Sequence, residues 1–183
     1  MSLLQTVQSY FRDSKLKKEL QRKKGFSKKK VNLETAKSIG LLFDATRLDI
    51  RQTALQYAEQ LKKQRKKVNL LGFFDVKQDP NASHSFPYFD KKSIDWTQSP
   101  KGDEVKYFLQ QNFDIFVFLN PTTTPYSEYI AALTNAHFKV GPLAECTDCY
   151  DLMLNVNNKA SLKHFIRHME DILLKTNIEH EAA

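Results

Sequence analysis

From residue 37 onward, short apolar runs alternate with longer segments whose apolar positions recur every three or four residues. KSIGLLFDA is a near-continuous apolar run, the pattern of a strand buried on both faces. After the polar turn TRLD, the stretch IRQTALQYAEQLKKQRKK sets Ile50, Ala54, Leu55, Ala58 and Leu61 on one helical face. VNLLGFFD is a second buried strand, and the unit 37–75 predicts a right-handed crossover between two parallel strands. Residues 76–101 form a long irregular connection with one short strand at Phe86–Phe89. Beyond it, GDEVKYFLQQN reads as a helix and FDIFVFLN as the most strand-like run of the chain. PTTTPYSEYIAALTNA is a loop and helix, with Pro125 in the first turn. FKVG and YDLMLNV are further strands, ASLKHFIRHMEDILLKT is a closing helix, and NIEHEAA is a loose tail.

Strands alternating with helices predict an α/β, Rossmann-like three-layer sandwich whose largely parallel sheet has five or six strands. A basic helix precedes it, because Leu3, Leu4, Val7, Tyr10, Phe11 and Ser14 recur at helical steps within SLLQTVQSYFRDSKLKKELQRKK. Its apolar first half is expected to dock on the domain and its lysine-rich second half to project into water. The predicted organisation is an arm over 1–34, one α/β domain over 35–176 and a flexible tail over 177–183.

Charge changes this picture more than composition does. Residues 12–30 hold ten Lys or Arg against Asp13 and Glu19, a net +8; the whole chain carries +7, which leaves −1 for everything else. A nearly neutral globule with a basic arm points to a polyanionic partner such as RNA. The lysines Lys17, Lys18, Lys23, Lys24, Lys28, Lys29 and Lys30, with Arg22, are the candidate contacts. The same run also suits a solvated extension. At 41% hydrophobic residues the chain can bury a core without metal or disulfide. Two cysteines and the lack of a signal peptide point to a reducing cytoplasm. No stretch approaches the roughly 18 apolar residues of a membrane helix.

The succession SIGLLFDAT, NLLGFF, FPYFDKKSIDW, FDIFVFLN, ALTNAHFKVGP and YDLMLNV resembles a family of small bacterial α/β proteins of unknown function, over about residues 35–175. The resemblance implies a fold. It lends no catalytic residue and no cofactor.

Four constellations carry possible chemistry. Cys146-x2-Cys149 followed by His164-x3-His168 has zinc-site spacing. The core stripe of the last helix, from Leu162 to Leu173, leaves His164 nearly opposite it, and a strand separates the cysteines from the helix, so no metal site is expected. A redox role for the cysteine pair is disfavoured, since the pair precedes a strand instead of opening a helix and Asp148 lies beside it. Asp44, Thr46, Asp75, Asn120, Thr122 and Thr123 follow the strands, where a parallel sheet places its ligand crevice. The chain has no glycine-rich phosphate loop, and the same residues suit helix caps and turns. Phe86, Tyr88, Phe89 and Trp96 lie among Lys91 and Lys92, where they either stack bases or pin the loop to the sheet. Lys62, Lys63, Arg65, Lys66 and Lys67 add a second basic cluster. His137 is expected at a helix C-terminus.

No triad or paired-carboxylate signature occurs. Two functions remain: a non-enzymatic binding protein that contacts RNA or another polyanion through its arm, or an enzyme or small-ligand binder, nucleotide-like, at the strand ends.

Overall fold

The computed structural model describes residues 3–22, 26–78, 83–146, 149–157 and 160–175. The elements, in chain order, are α1 (Leu3–Arg22), β1 (Ser38–Asp44), α2 (Leu48–Lys63), β2 (Lys67–Phe74), β3 (Tyr88–Asp90), α3 (Asp103–Gln110), β4 (Asn112–Leu119), α4 (Pro125–Leu133), β5 (Asn135–Pro142), β6 (Leu152–Leu154) and α5 (Leu162–Lys175). The six strands form one sheet in the order β3-β2-β1-β4-β5-β6, and every pairing is parallel. This is the order of the doubly wound dinucleotide-binding sheets, with the direction of winding reversing between β1 and β4.

The apolar runs of the central strands follow from burial on both faces. In β1, Ile39, Leu41 and Phe43 join a core with α2 and α5, contributed by Ala54, Tyr57, Ala58, Phe165 and Met169. Leu42 points the other way, into a core with α3 and α4 that holds Val105, Phe108, Tyr126 and Ile130. Helices therefore cover both faces, and the fold is a three-layer α/β sandwich of Rossmann-like type. No helix among the described residues is long and apolar enough to cross a membrane. At Gly72, a β-carbon would lie 2.4 Å from the Phe86 ring, so the missing side chain is what lets Phe86 close over β2. Gly141 does the same for Tyr150 on β5.

Residues 26–37, before β1, run as a strap beneath the N-terminal edge of the sheet. The Phe26 ring packs tilted against His137 with centroids 4.8 Å apart, the Lys29 N–H donates to His137 Nδ1, and Lys28 pairs with Asp151 just before β6. At the far end, the Lys37 and Ser38 amides donate to Asp114 Oδ2 at 2.7 and 2.9 Å. Lys66 fastens the middle: its Nζ donates to the main-chain carbonyls of Leu33 (2.6 Å), Ala36 (2.9 Å) and Glu34 (3.3 Å).

The structure departs from the sequence expectations in several places. Among the described side chains of α1, Phe11 of the apolar set docks on Trp96 while Val7 and Tyr10 are exposed, and the second half docks as well, through Lys15 on Asp95 and Glu19 to the Tyr129 hydroxyl; the Leu3 and Leu4 side chains lie outside the described residues. His137 lies inside β5, because α4 stops at Leu133 and Thr134 is already extended. Asp44 and Thr46 do not cap α2, whose N-cap is Arg47 without a side-chain bond. Instead the Thr46 amide donates to Asp44 Oδ1 and Thr46 Oγ1 accepts from the Asp75 amide, tying the ends of β1 and β2. YDLMLNV is a strand only over Leu152–Leu154, since Asp151 turns its carboxylate onto the Lys139 amide. The tail 177–183 lies outside the described residues.

Candidate functional site

At the C-terminal edge of the sheet, where β1 and β4 diverge, lies a cleft of about 530 Å³ lined by Asp44, Phe73, Asp75, Lys91, Ile94, Asp95, Gln98, Thr124, Pro125 and Tyr126. Strand ends supply Asp44 and Asp75. The loop after β3 supplies Lys91 to Gln98, and the first turn of α4 supplies the rest. Of the strand-end residues singled out from sequence, Asp44 and Asp75 face this cleft. Thr46 stands behind them as the tie between the two strands. Asn120 and Thr122 close an Asx turn on each other, and Thr123 Oγ1 donates to Glu128 Oε1 at 3.2 Å. Thr123 lines a separate groove instead, with Arg12, Glu128 and Leu143 among its neighbours.

The cleft is acidic and its charges differ in how they are held. Asp75 pairs with Lys91 at 3.2 Å. Asp95 accepts from Thr97 Oγ1 and the Thr97 and Ser99 amides and pairs with Lys15 and Lys101. Burial alone would raise the Asp95 pKa, but these donors outweigh it and hold the carboxyl well below the usual carboxylate range. Asp44 accepts from the Thr46 amide. Tyr126, 6% exposed, packs its ring on Phe73 at 4.2 Å and leaves its hydroxyl without a hydrogen bond. Burial, with the Asp44 charge added, pushes that phenol well above its ordinary value.

A phosphate does not suit this place. Position N1 of α4 is Pro125, which has no N–H, and the Ser127 amide is already taken by the Thr124 hydroxyl in a capping box. The chemistry on offer is hydrogen-bond acceptance from a donor-bearing group beside an aromatic wall. Sequence reading missed the contribution of Asp95, although the pattern D-x-T-x-S at 95–99 is a side-chain-to-backbone loop signature.

The opposite edge is basic. The strap delivers Lys28, Lys29, Lys30 and Lys37 to it, and the end of α2 delivers Lys62, Lys63, Arg65 and Lys67, all exposed. The Lys67 amide donates to the Lys37 carbonyl at 2.7 Å, which joins the two groups. Lys66 is withdrawn from this surface, since it is buried on its three carbonyls, and burial holds its pKa below the ordinary lysine value. On α1, Lys17 and Lys18 are exposed. Lys23 and Lys24 lie outside the described residues, as does the Arg22 side chain.

Cys146 and Cys149 are joined as a disulfide, where the sequence suggested two free thiols. Cys149 packs in the core on the α3 and α4 side. His164 and His168 stand exposed on α5, whose buried residues pack on the other face, so the sheet lies between the two halves of the zinc pattern. Among the described residues no group of three or more His, Cys, Asp or Glu is arranged to hold a metal ion. Of the loop aromatics, Phe86 and Phe89 are buried and pin the loop, while Trp96 is 58% exposed against Phe11.

None of the curated proteins compared with the chain matches it. A family model does: its description is "Family of unknown function (DUF6913)", and it matches residues 8–175, from within α1 to the last residue of α5. The match takes in α1 and the strap together with the sheet, and the chain belongs to this family of unknown function.

Proposed function

We propose that this protein is a non-enzymatic, cytoplasmic binding protein that holds RNA on the basic N-terminal edge of its sheet. The observation that carries the reading is the meeting of two basic clusters, far apart in sequence, on one edge: Lys28, Lys29, Lys30 and Lys37 from the strap, and Lys63, Arg65 and Lys67 at and beyond the end of α2. The strap enters beneath β5 and ends beside β2, three strand spacings away, or about 14 Å. That length suits several consecutive phosphates, which such lysines contact with little sequence preference. The exposed Lys17 and Lys18 extend the charge along α1.

The test is binding of a mixed short RNA to the full chain across a range of salt, compared with a variant in which Lys29, Lys30, Lys37, Arg65 and Lys67 become Gln. Five single-strand phosphate contacts give a slope of log K against log salt of about −3.5. The variant should lose most of that slope. Absence of binding at moderate salt, or equal binding by the two chains, overturns the reading.

One observation favours a second reading, a small-ligand site. The strand order places the cleft at the switch point, where doubly wound sheets take their ligands. Asp44 and Asp75, beside the Phe73 and Tyr126 rings, would select a ligand that carries N–H donors on a flat apolar body. Under this reading Asp44→Asn abolishes ligand-induced stabilisation in a screen of such compounds and leaves RNA binding unchanged.

A further inference from the structure

The disulfide between Cys146 and Cys149 belongs to neither reading above, and its surroundings are asymmetric. Cys149 is fully buried, whereas Cys146 is only half-buried midway along the β5–β6 connection. Beside the pair runs a groove of about 570 Å³, walled by the first turn of α4, by Arg12 of α1, and by Leu143, Ala144 and Glu145, which lead into Cys146. Leu143 is exposed there. Cys149 Sγ lies 3.6 Å from the Glu128 main-chain carbonyl, positioned to receive an S–H bond once the disulfide is open. Burial holds the Glu128 side-chain carboxyl above the usual range, despite the opposing pull of Arg12 and Thr123.

The bond also does little as a staple. It spans a sequence separation of three residues, and the stabilisation from closing a loop grows with loop length, so this crosslink restricts the unfolded chain far less than a long-range one would. Cys149 is held by its core contacts in any case. A short bond between one half-buried cysteine and one fully buried cysteine, with the residues leading into Cys146 lining a groove, has the layout of a reactive pair.

We propose that Cys146–Cys149 is a reversible thiol–disulfide exchange centre that reacts with dithiols through Cys146. An incoming thiolate attacks Cys146 Sγ, a new S–S bond forms, and the old one breaks with its electron pair leaving on Cys149 Sγ. Cys149 takes up a proton and donates the resulting S–H to the Glu128 carbonyl. The second thiol of the dithiol, as thiolate, then attacks the mixed disulfide and releases Cys146, which is protonated in turn. Two electrons and two protons pass to the protein, and the dithiol becomes a disulfide. In reverse, the reduced pair gives two electrons and two protons to a disulfide-bearing compound of the same class, reducing it to its dithiol, and is itself oxidised back to the Cys146–Cys149 disulfide.

The experiment uses the full folded chain. One portion is treated with dithiothreitol, quenched, alkylated and weighed by mass spectrometry; a second portion, reduced in the same way, is returned to oxidised dithiothreitol before it is alkylated and weighed. We expect two alkylations on reduction under native conditions, loss of both after reoxidation, and an unchanged far-UV circular dichroism spectrum. With oxidised glutathione, the Cys149→Ser chain should form a mixed disulfide at Cys146 at least roughly tenfold faster than the Cys146→Ser chain does at Cys149. Reduction that requires unfolding with urea, failure to reoxidise, or equal rates for the two single variants would each overturn the proposal.

Discussion

Replacing Lys66 by Met tests whether the strap is held by buried hydrogen bonds or merely lies along a basic edge. The substitution keeps the length and apolar stem of the side chain and removes the ammonium that serves Leu33, Glu34 and Ala36. Two of the three contacts are short, at 2.6 and 2.9 Å, and a charged hydrogen bond contributes about 1.5–3 kcal/mol net. Taking the lower figure for each short bond, and setting the long contact against the relief of not burying a charge, gives a loss of about 3 kcal/mol. In a domain of this size that corresponds to a fall in Tm of about 6–12 °C. The assay is urea unfolding followed by circular dichroism, with Lys67→Met as control. Lys67 is exposed, and its substitution should stay within about 0.5 kcal/mol. If Lys66→Met also stays within that margin, the three carbonyls are not held as described and the account of the strap fails.

Two further outcomes follow from the packing and the cleft. Gly72→Ala places a β-carbon 2.4 Å from the Phe86 ring and should cost about 1–3 kcal/mol by overpacking; adding Phe86→Leu should recover part of the loss in the same urea titration, and no recovery would place the strain elsewhere. The Asp95 carboxyl, lower in the folded than in the unfolded chain, contributes stability that is full above the unfolded value of about 3.9 and is lost as pH falls through and below it. Unfolding measured from pH 6 to pH 2 should therefore show a shallower acid loss in Asp95→Asn than in the parent chain, and identical slopes would refute the assignment.

The order of elements was legible because a parallel strand buried on both faces must be apolar at successive positions, and an amphipathic helix must repeat every three to four. What escaped was set by tertiary contacts. β5 begins at Asn135, three residues before FKVG, and Lys139 within it is buried with its ammonium on the last carbonyls of α4 at Ala131 and Ala132. Polar letters in that stretch gave no sign of burial. A count of basic residues likewise does not separate Lys66, folded onto the strap, or Lys15, clamped on Asp95, from the exposed Lys30 and Lys37. The strand-end site was readable in part: Asp44 and Asp75 end their strands facing the cleft. Asn120 and Thr122 end theirs in a turn that consumes its own hydrogen bonds, a choice made by local geometry.

The fastening of the N-terminal segment also sets an order of events during synthesis. Lys15 waits for Asp95, 80 positions downstream; Lys29 for His137, 108 downstream; Glu19 for Tyr129, 110 downstream; and Lys28 for Asp151, 123 downstream. This stretch of chain is thus made well before the groups that hold it. Until α4, β5 and the residue before β6 have emerged, Glu19, Lys28 and Lys29 lack the groups that hold them in the folded protein, and these two lysines meet the surroundings without them.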